Sequence, residues 1–329
     1  IANENSETMS KSRFASLLLF AFCSSASYAQ FTDVINSNRP GESMSGFSVG
    51  KTVFQTEAGI YALAEDHDIL NTKAKGFGLD LALRYGAFLE QLEFIMNLQY
   101  QTDQYETALG SENRNAIKKL TLGAKYLIYD PFKNYEEKVN IYSWKANHRF
   151  KWRQFIPAVG VYAGANINFS NNPYTFPTDP KISPKLMVIT QNHFGSRYVY
   201  VMNIIADRIT TDYPSYGIIA TLTRGFNEKW SGFIELQGYQ SDFYSDAIGR
   251  IGAAYLLQPN LQVDASISKN IKDTPSIFYG GVGVSWRFDG FYKDIMIQGP
   301  DKSDKKDKKK DKKKEDEKKR IDEVGGEKE

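Results

Sequence analysis

The sequence GFGLDLALRYGAFLEQLEFIMNLQY, residues 76–100, alternates apolar and polar side chains through two consecutive segments. Phe77, Leu79, Leu81, Leu83 and Tyr85 share one parity, and Gly78, Asp80, Ala82, Arg84 and Gly86 the other. After a turn at residues 87–91 the pattern resumes, with Leu92, Phe94, Met96, Leu98 and Tyr100 opposed by Glu93, Ile95, Asn97, Gln99 and Gln101. Successive side chains of a strand point to opposite sides of the sheet, so this is a hairpin with two different faces. A soluble sheet packed on a core would alternate in the same way. Two features point to a bilayer instead. Each run is about ten residues, the length that crosses a membrane at a tilt. Tyr85 and Tyr100 also close the apolar rows, where an interfacial aromatic girdle belongs.

The composition of the whole chain agrees with this reading. Its 329 residues carry a formal net charge of +2, with 20 Tyr and 21 Phe. No apolar run approaches the roughly eighteen residues of a membrane helix, which leaves a closed barrel as the membrane architecture. Met9 to Arg13 forms a basic region, Phe14 to Phe22 an apolar core too short to span, and Ser27, Tyr28 and Ala29 a small-x-small cleavage site. Residues 1–29 are therefore read as a few upstream residues plus a secretory signal, with Met9 as initiator. The single cysteine, Cys23, lies inside that signal, and Phe22 before it is too bulky for a lipoprotein site. No disulfide, thiol nucleophile or cysteine-based metal site follows from it.

Residues 30–50 are polar and turn-rich around Asn38, Arg39 and Pro40, and read either as a plug or as a periplasmic lead-in. From residue 51 to 290 the alternation supports an all-β, antiparallel up-and-down transmembrane barrel of about twelve strands. The strand near residues 185–191 leaves its parity open, because Leu186, Met187, Val188 and Ile189 are contiguous. An even strand count returns the chain to the side it entered, so both termini are expected in the periplasm. The connections near 87, 195, 227 and 259 then read as short periplasmic turns, and those near 68, 109, 176, 211, 244 and 272 as longer extracellular loops. The connection at residues 130–155 is long for its side and mixes cations with aromatics, either as an interfacial anchor or as a docking surface. Residues 291–329 form a Lys-rich tail with too little apolar surface to fold alone. It reads as a disordered periplasmic extension, or as an arm that touches the cell wall, headgroups or a periplasmic partner. Nucleic acid is not an expected partner of an exported chain.

The inward parity collects ionisable residues of both signs: Glu57, Asp80, Arg84, Glu93, Lys119, Lys125, Glu235, Arg250, Asp264 and Arg287. They either pair to fill a narrow interior or form a polar constriction that filters solutes. The three histidines, His67, His148 and His193, are scattered without metal-ligand spacing, and no Ser, His and acid group together. No catalytic residue, metal or cofactor is expected.

Several stretches carry a family resemblance. They are Asn38 to Glu42 followed by residues 53–59, then Leu83, Arg84, Tyr85 and Gly86, then Leu120 to Tyr126. Further on come Tyr255, residues 258–264 and the closing Gly283, Val284, Ser285, Trp286, Arg287 and Phe288. In these places the chain resembles the outer-membrane transporters associated with phenol meta-pathway degradation, loosely related to the long-chain fatty acid transporters. Asn38 stands where that family usually has an acidic residue, and the basic tail is additional. The resemblance implies a channel in the outer membrane, surrounded by lipid, for passive or facilitated uptake of a small hydrophobic or aromatic compound. The competing expectation is a non-transporting assembly barrel that docks periplasmic partners through residues 130–155 and the tail.

Overall fold

The computed structural model describes residues 34–133, 142, 152–175, 179–195, 197–242 and 244–290. The expected signal (1–29), most of the 130–155 connection and the tail (291–329) lie outside the described residues. Twelve strands form one closed antiparallel barrel in which each strand pairs with its chain neighbours. They are β1 (Phe54–His67), β2 (Thr72–Gly86), β3 (Leu92–Thr107), β4 (Gly110–Tyr129), β5 (Ala158–Ile167) and β6 (Ile182–Phe194). They continue as β7 (Tyr198–Asp207), β8 (Ser215–Gly225), β9 (Trp230–Ser241), β10 (Ser245–Gln258), β11 (Leu261–Asn270) and β12 (Ser276–Phe288). Pairing of β1 with β12, from Phe54↔Phe288 to Asp66↔Ser276, removes the sheet edges. Closure leaves no sheet edge whose N–H and C=O groups would need water, the condition that a lipid-embedded sheet has to meet.

The alternation sorts side chains as the sequence implies. Ile60, Phe77, Leu79, Leu122, Ile234, Leu236, Ile251 and Val282 are exposed on the outer surface, the lipid face of a transmembrane barrel. Gln55, Glu57, Arg84, Glu93, Lys125 and Glu235 point inward and are buried. We call the end with connections 87–91, 130–157, 195–197, 226–229 and 259–260 proximal, and the other end distal. Tyr85, Tyr129, Tyr198, Trp230 and Trp286 ring the proximal end on the outside. Trp230 packs on Tyr255 at 4.7 Å between ring centroids, and Trp286 on Phe288 at 5.8 Å. Amphipathic rings gather at this level because one edge meets lipid and the other water.

Strand β6 has a definite parity. Leu186 and Val188 face outward, while Lys185, Met187, Ile189 and Gln191 face the interior. Met187 and Ile189 pack inside with Met44, Ile95, Tyr162 and Val201, which explains an apolar run on both faces. A second irregularity lies in β4, where a bulge opposite Gln99 and Tyr100 inserts Lys118. Lys119 pairs with Gln99 and Ile117 with Tyr100, so the inward parity switches from odd to even numbers across the bulge.

The distal connections correct the sequence reading. Residues 168–181 and 208–214 form extended connections, but 68–71, 108–109, 242–244 and 271–275 are no longer than the proximal turn at 87–91. Chain expected in the loop near 109 is paired strand instead: β3 has 16 residues and β4 has 20. Tyr100 therefore does not end its strand. Beyond it both faces are polar, as in the pair Tyr105↔Glu112, so this part of the hairpin lacks the apolar contrast that marks a membrane strand.

The lipid face yields a direct stability expectation. Leu236→Arg, on the exposed outer surface of β9, should cost on the order of 2–4 kcal/mol in urea unfolding from lipid vesicles. Gln237→Asn, on the opposite face, should change stability by less than about 1 kcal/mol. Equal costs at the two positions would contradict the assigned faces.

Candidate functional site

Residues 34–53 contain Pro40, Gly41, Gly46 and Gly50 among Ser and Asn, a composition that opposes helix and strand. This segment lies inside the barrel. It starts at the proximal end, where the Ile35 amide donates to Pro259 O at 2.8 Å. It dips into the lumen and returns to the same end, where the Thr52 amide donates to Gly86 O at 2.8 Å and the Gly86 amide to Val53 O at 2.9 Å.

A backbone without regular structure, enclosed in a lumen, leaves its amides and carbonyls in need of partners. The inward side chains of the wall supply them. Glu57 accepts from the amides of Asn38 and Arg39 at 3.3 and 3.2 Å. Glu235 accepts from those of Glu42 and Ser43 at 3.1 and 3.2 Å. Glu93 accepts from Val49 N at 3.1 Å, and Gln191 from Gly46 N at 2.9 Å. Asn203 accepts from Met44 N at 2.6 Å while its own amide donates to Met44 O at 3.0 Å, as a neighbouring strand would. Lys125 donates to Ser45 O and Phe47 O at 2.9 and 2.8 Å, and Arg84 to Asn36 O at 2.7 Å.

The charged members also hold one another. Arg84 bridges Glu57 at 2.9 Å and also pairs with Glu93, which Lys125 reaches at 3.1 Å. All four side chains are at most 1% exposed, so removing one would leave an uncompensated buried charge. Glu235 pairs with Arg250, accepts from Thr221 Oγ1 at 2.8 Å, and Arg250 extends to Glu42 at 3.6 Å. Enclosure raises the Glu42 carboxyl, but Arg250, Lys119, Arg39 and Lys185 outweigh it and hold the group below its ordinary value.

Arg39 occupies a seat built by register. Asp80 pairs with Gly59, Gly59 with Gly283, and Gly283 with Asp264, which places two glycines between two aspartates in one row across four strands. The guanidinium lies against both glycines, where a Cβ would overlap it. It reaches Asp264 at 3.3 Å and Asp80 at 4.0 Å. The absence of side chains at Gly59 and Gly283 is thus a requirement of close approach.

Nine of the ten wall residues drawn from the sequence face this interior region. Arg287 also points inward, but its guanidinium reaches Asp289 at 3.2 Å at the proximal strand end. Asn38 stabilises the segment's own turn by accepting from Ser45 N at 2.9 Å, and Pro40 lines a cavity. Sequence reasoning overlooked Gln55, Gln191 and Asn203 because it collected only charges. Asn203, alone between Met202 and Ile204, was the available signal. It also overlooked Lys118 and Lys185, hidden by the β4 bulge and the ambiguous parity of β6. His193 packs between Phe47 and Phe132 at centroid distances of 5.8 and 5.0 Å, and His67 lies by Thr274. Among the described residues no group of His, Cys, Asp or Glu has the arrangement of a metal site.

The segment divides the lumen without filling it. A cavity of about 360 Å³ lies beside residues 34–47 and is lined by apolar Ile35, Val199, Val201 and Phe233 together with Thr221 and Thr223. A second, of about 170 Å³, lies on the distal side of Arg39 and Glu42.

A closed twelve-stranded barrel with a lipid-facing apolar band and a polar, internally occupied lumen is a transmembrane barrel of the outer-membrane class. More particularly, the chain belongs to the family described as "Putative MetA-pathway of phenol degradation", whose model matches residues 37–288. Among solved structures it is similar to the COG4313 outer membrane channel from Pseudomonas putida F1. The TM-score is 0.50 and the identity 14%, over 77% of this chain and 100% of that one. The CymD monoaromatic hydrocarbon channel matches at TM-score 0.39 and 9% identity, over 72% of this chain and 89% of that one. No curated protein matches the chain.

The Arg39 seat makes a testable point. Gly283→Ala should displace the guanidinium and loosen the segment, raising maleimide labelling of a Ser43→Cys reporter several-fold on a Cys23→Ser background. Heat-modifiable migration of the barrel should persist. Unchanged labelling would show that Arg39 does not hold the segment in place.

Proposed function

We propose that this barrel is an outer-membrane channel for passive or facilitated uptake of a small apolar or aromatic compound, with residues 34–53 restricting the lumen as a plug. The observation that carries the reading is the divided lumen: a cavity of about 360 Å³ with apolar and hydroxyl lining remains beside a segment held by individually breakable hydrogen bonds. A barrel serving only as a wall has no need of such space. The solute class is supported by Ile35, Val199, Val201 and Phe233 in the lining, and by the family's description in terms of phenol degradation. The channel role is supported by the outer membrane channel from Pseudomonas putida as a relative in fold.

In this reading the proximal end faces the periplasm, with the entry to β1 and the exit from β12 there. The even strand count brings the entry to β1 and the exit from β12 to the same end of the barrel, as this orientation requires. A second reading, a non-transporting barrel that docks periplasmic partners, draws on the occupied lumen. Conductance separates the two. Wild-type protein in planar bilayers should show low conductance to salt, and deletion of residues 36–49 should raise it at least about ten-fold, since the wall closes without the segment. A deletion variant that inserts and remains non-conducting would favour the docking barrel.

The orientation has its own test. A cysteine at Leu109, fully exposed at the distal β3–β4 tip, should react with an impermeant maleimide on intact cells, and one at Asn227 should not. The opposite pattern would invert the topology.

A further inference from the structure

The distal cavity of about 170 Å³ has an unequal charge economy. Its acidic lining residues each have a cationic neighbour: Glu57 has Arg84 at 2.9 Å, Glu42 has Arg250 at 3.6 Å, and Asp80 has Arg39 at 4.0 Å. Asp80 also accepts from Gln99 Nε2 at 2.8 Å. Its two lysines, Lys119 and Lys185, have neither an ion-pair partner within 4 Å nor a hydrogen bond among the described residues. Lys185 is only 8% exposed. The acid opposite it in strand register, Asp207, is engaged by Asn166 Nδ2 and by the Arg208 amide at 2.9 Å. Glu42 and Asp207 act on Lys185 only from beyond ion-pair distance, so neither lysine has a direct contact partner among the described residues, and an anion entering the cavity would supply one. Next to the lysines the lining turns apolar at Met44 and Met187, which pack with Tyr162 and Ile95.

We propose that Lys119 and Lys185 form a carboxylate-binding subsite and that the solute admitted past the segment is a small aromatic or apolar monocarboxylate. Its carboxylate meets the two ammoniums and its apolar part rests on Met44 and Met187. The cavity has room for one ring bearing one acid group. This inference deepens the channel reading and rests on it for its meaning in transport, although the subsite itself is a matter of binding alone.

Titration calorimetry on the full-length, detergent-solubilised protein with benzoate, benzyl alcohol and inorganic phosphate tests the subsite. Benzoate should bind saturably and at least about ten-fold more tightly than either of the other two, because charge-assisted contacts and the apolar floor act together. Lys185→Met and Lys119→Gln should each weaken benzoate about ten-fold without changing benzyl alcohol, and Lys185→Arg should retain binding. Unchanged benzoate affinity in a Lys185→Met or Lys119→Gln variant with normal heat-modifiable migration would overturn the proposal. Benzyl alcohol matching benzoate would do the same, and phosphate outcompeting benzoate would make the site one for inorganic anions instead. Should Lys185→Met fail to fold, Lys119→Gln decides, since Lys119 is exposed to the lumen. Flux into proteoliposomes keeps the two readings apart. Benzoate binding with no solute flux would refute the channel and leave the subsite, whereas passage of benzyl alcohol without benzoate binding would refute the subsite and leave the channel.

Discussion

The backbone of residues 34–53 has no strand or helix to satisfy it, and the rest of the interior is arranged around that need. Glu57, Glu93 and Glu235 accept from its amides, Lys125 and Arg84 donate to its carbonyls, and Asn203 does both for Met44. An enclosed amide left unpaired costs about 1–3 kcal/mol, so the polar rows of the wall are set by where the segment passes. The wall carboxylates are then compensated in turn by Arg84, Lys125 and Arg250. The charged interior is therefore a scaffold for a second piece of chain.

This division of labour separates the stability of the wall from the placement of the segment. The wall is closed by the β1–β12 pairing, and of residues 34–53 only Thr52 and Val53 extend one of its ladders, at Gly86. The segment is held by many contacts of modest individual strength, typically about 0.5–1.5 kcal/mol for neutral hydrogen bonds and 1.5–3 kcal/mol for charged ones. The row Asp80–Gly59–Gly283–Asp264 shows how tightly one part is seated, since two missing side chains make the space for one guanidinium. On the distal side the pairing of charges is incomplete, and Lys119 and Lys185 stand outside it.

The sequence by itself determined the barrel and its twelve strands, and it named many of the inward ionisable residues but not Asp103, Lys118, Lys185 or Asp246. The reason is physical: a lipid face opposed to a polar lumen imposes a period of two on every membrane-crossing strand, visible in Phe77 to Tyr85 without any knowledge of neighbours. Where that contrast fades, the reading fades with it. Strand β6 is apolar on both faces because Met187 and Ile189 meet Met44 inside the lumen, and the polar β3–β4 extension passes for a loop. Parity also carries no information about position along the barrel or across it. Only the tertiary structure decided that Asn203 reaches Met44, that Arg39 sits over Gly59 and Gly283, and that Lys118 enters at a bulge. These are contacts between residues far apart in the chain, set by strand register and by the path of residues 34–53, and neither leaves a local trace in the sequence.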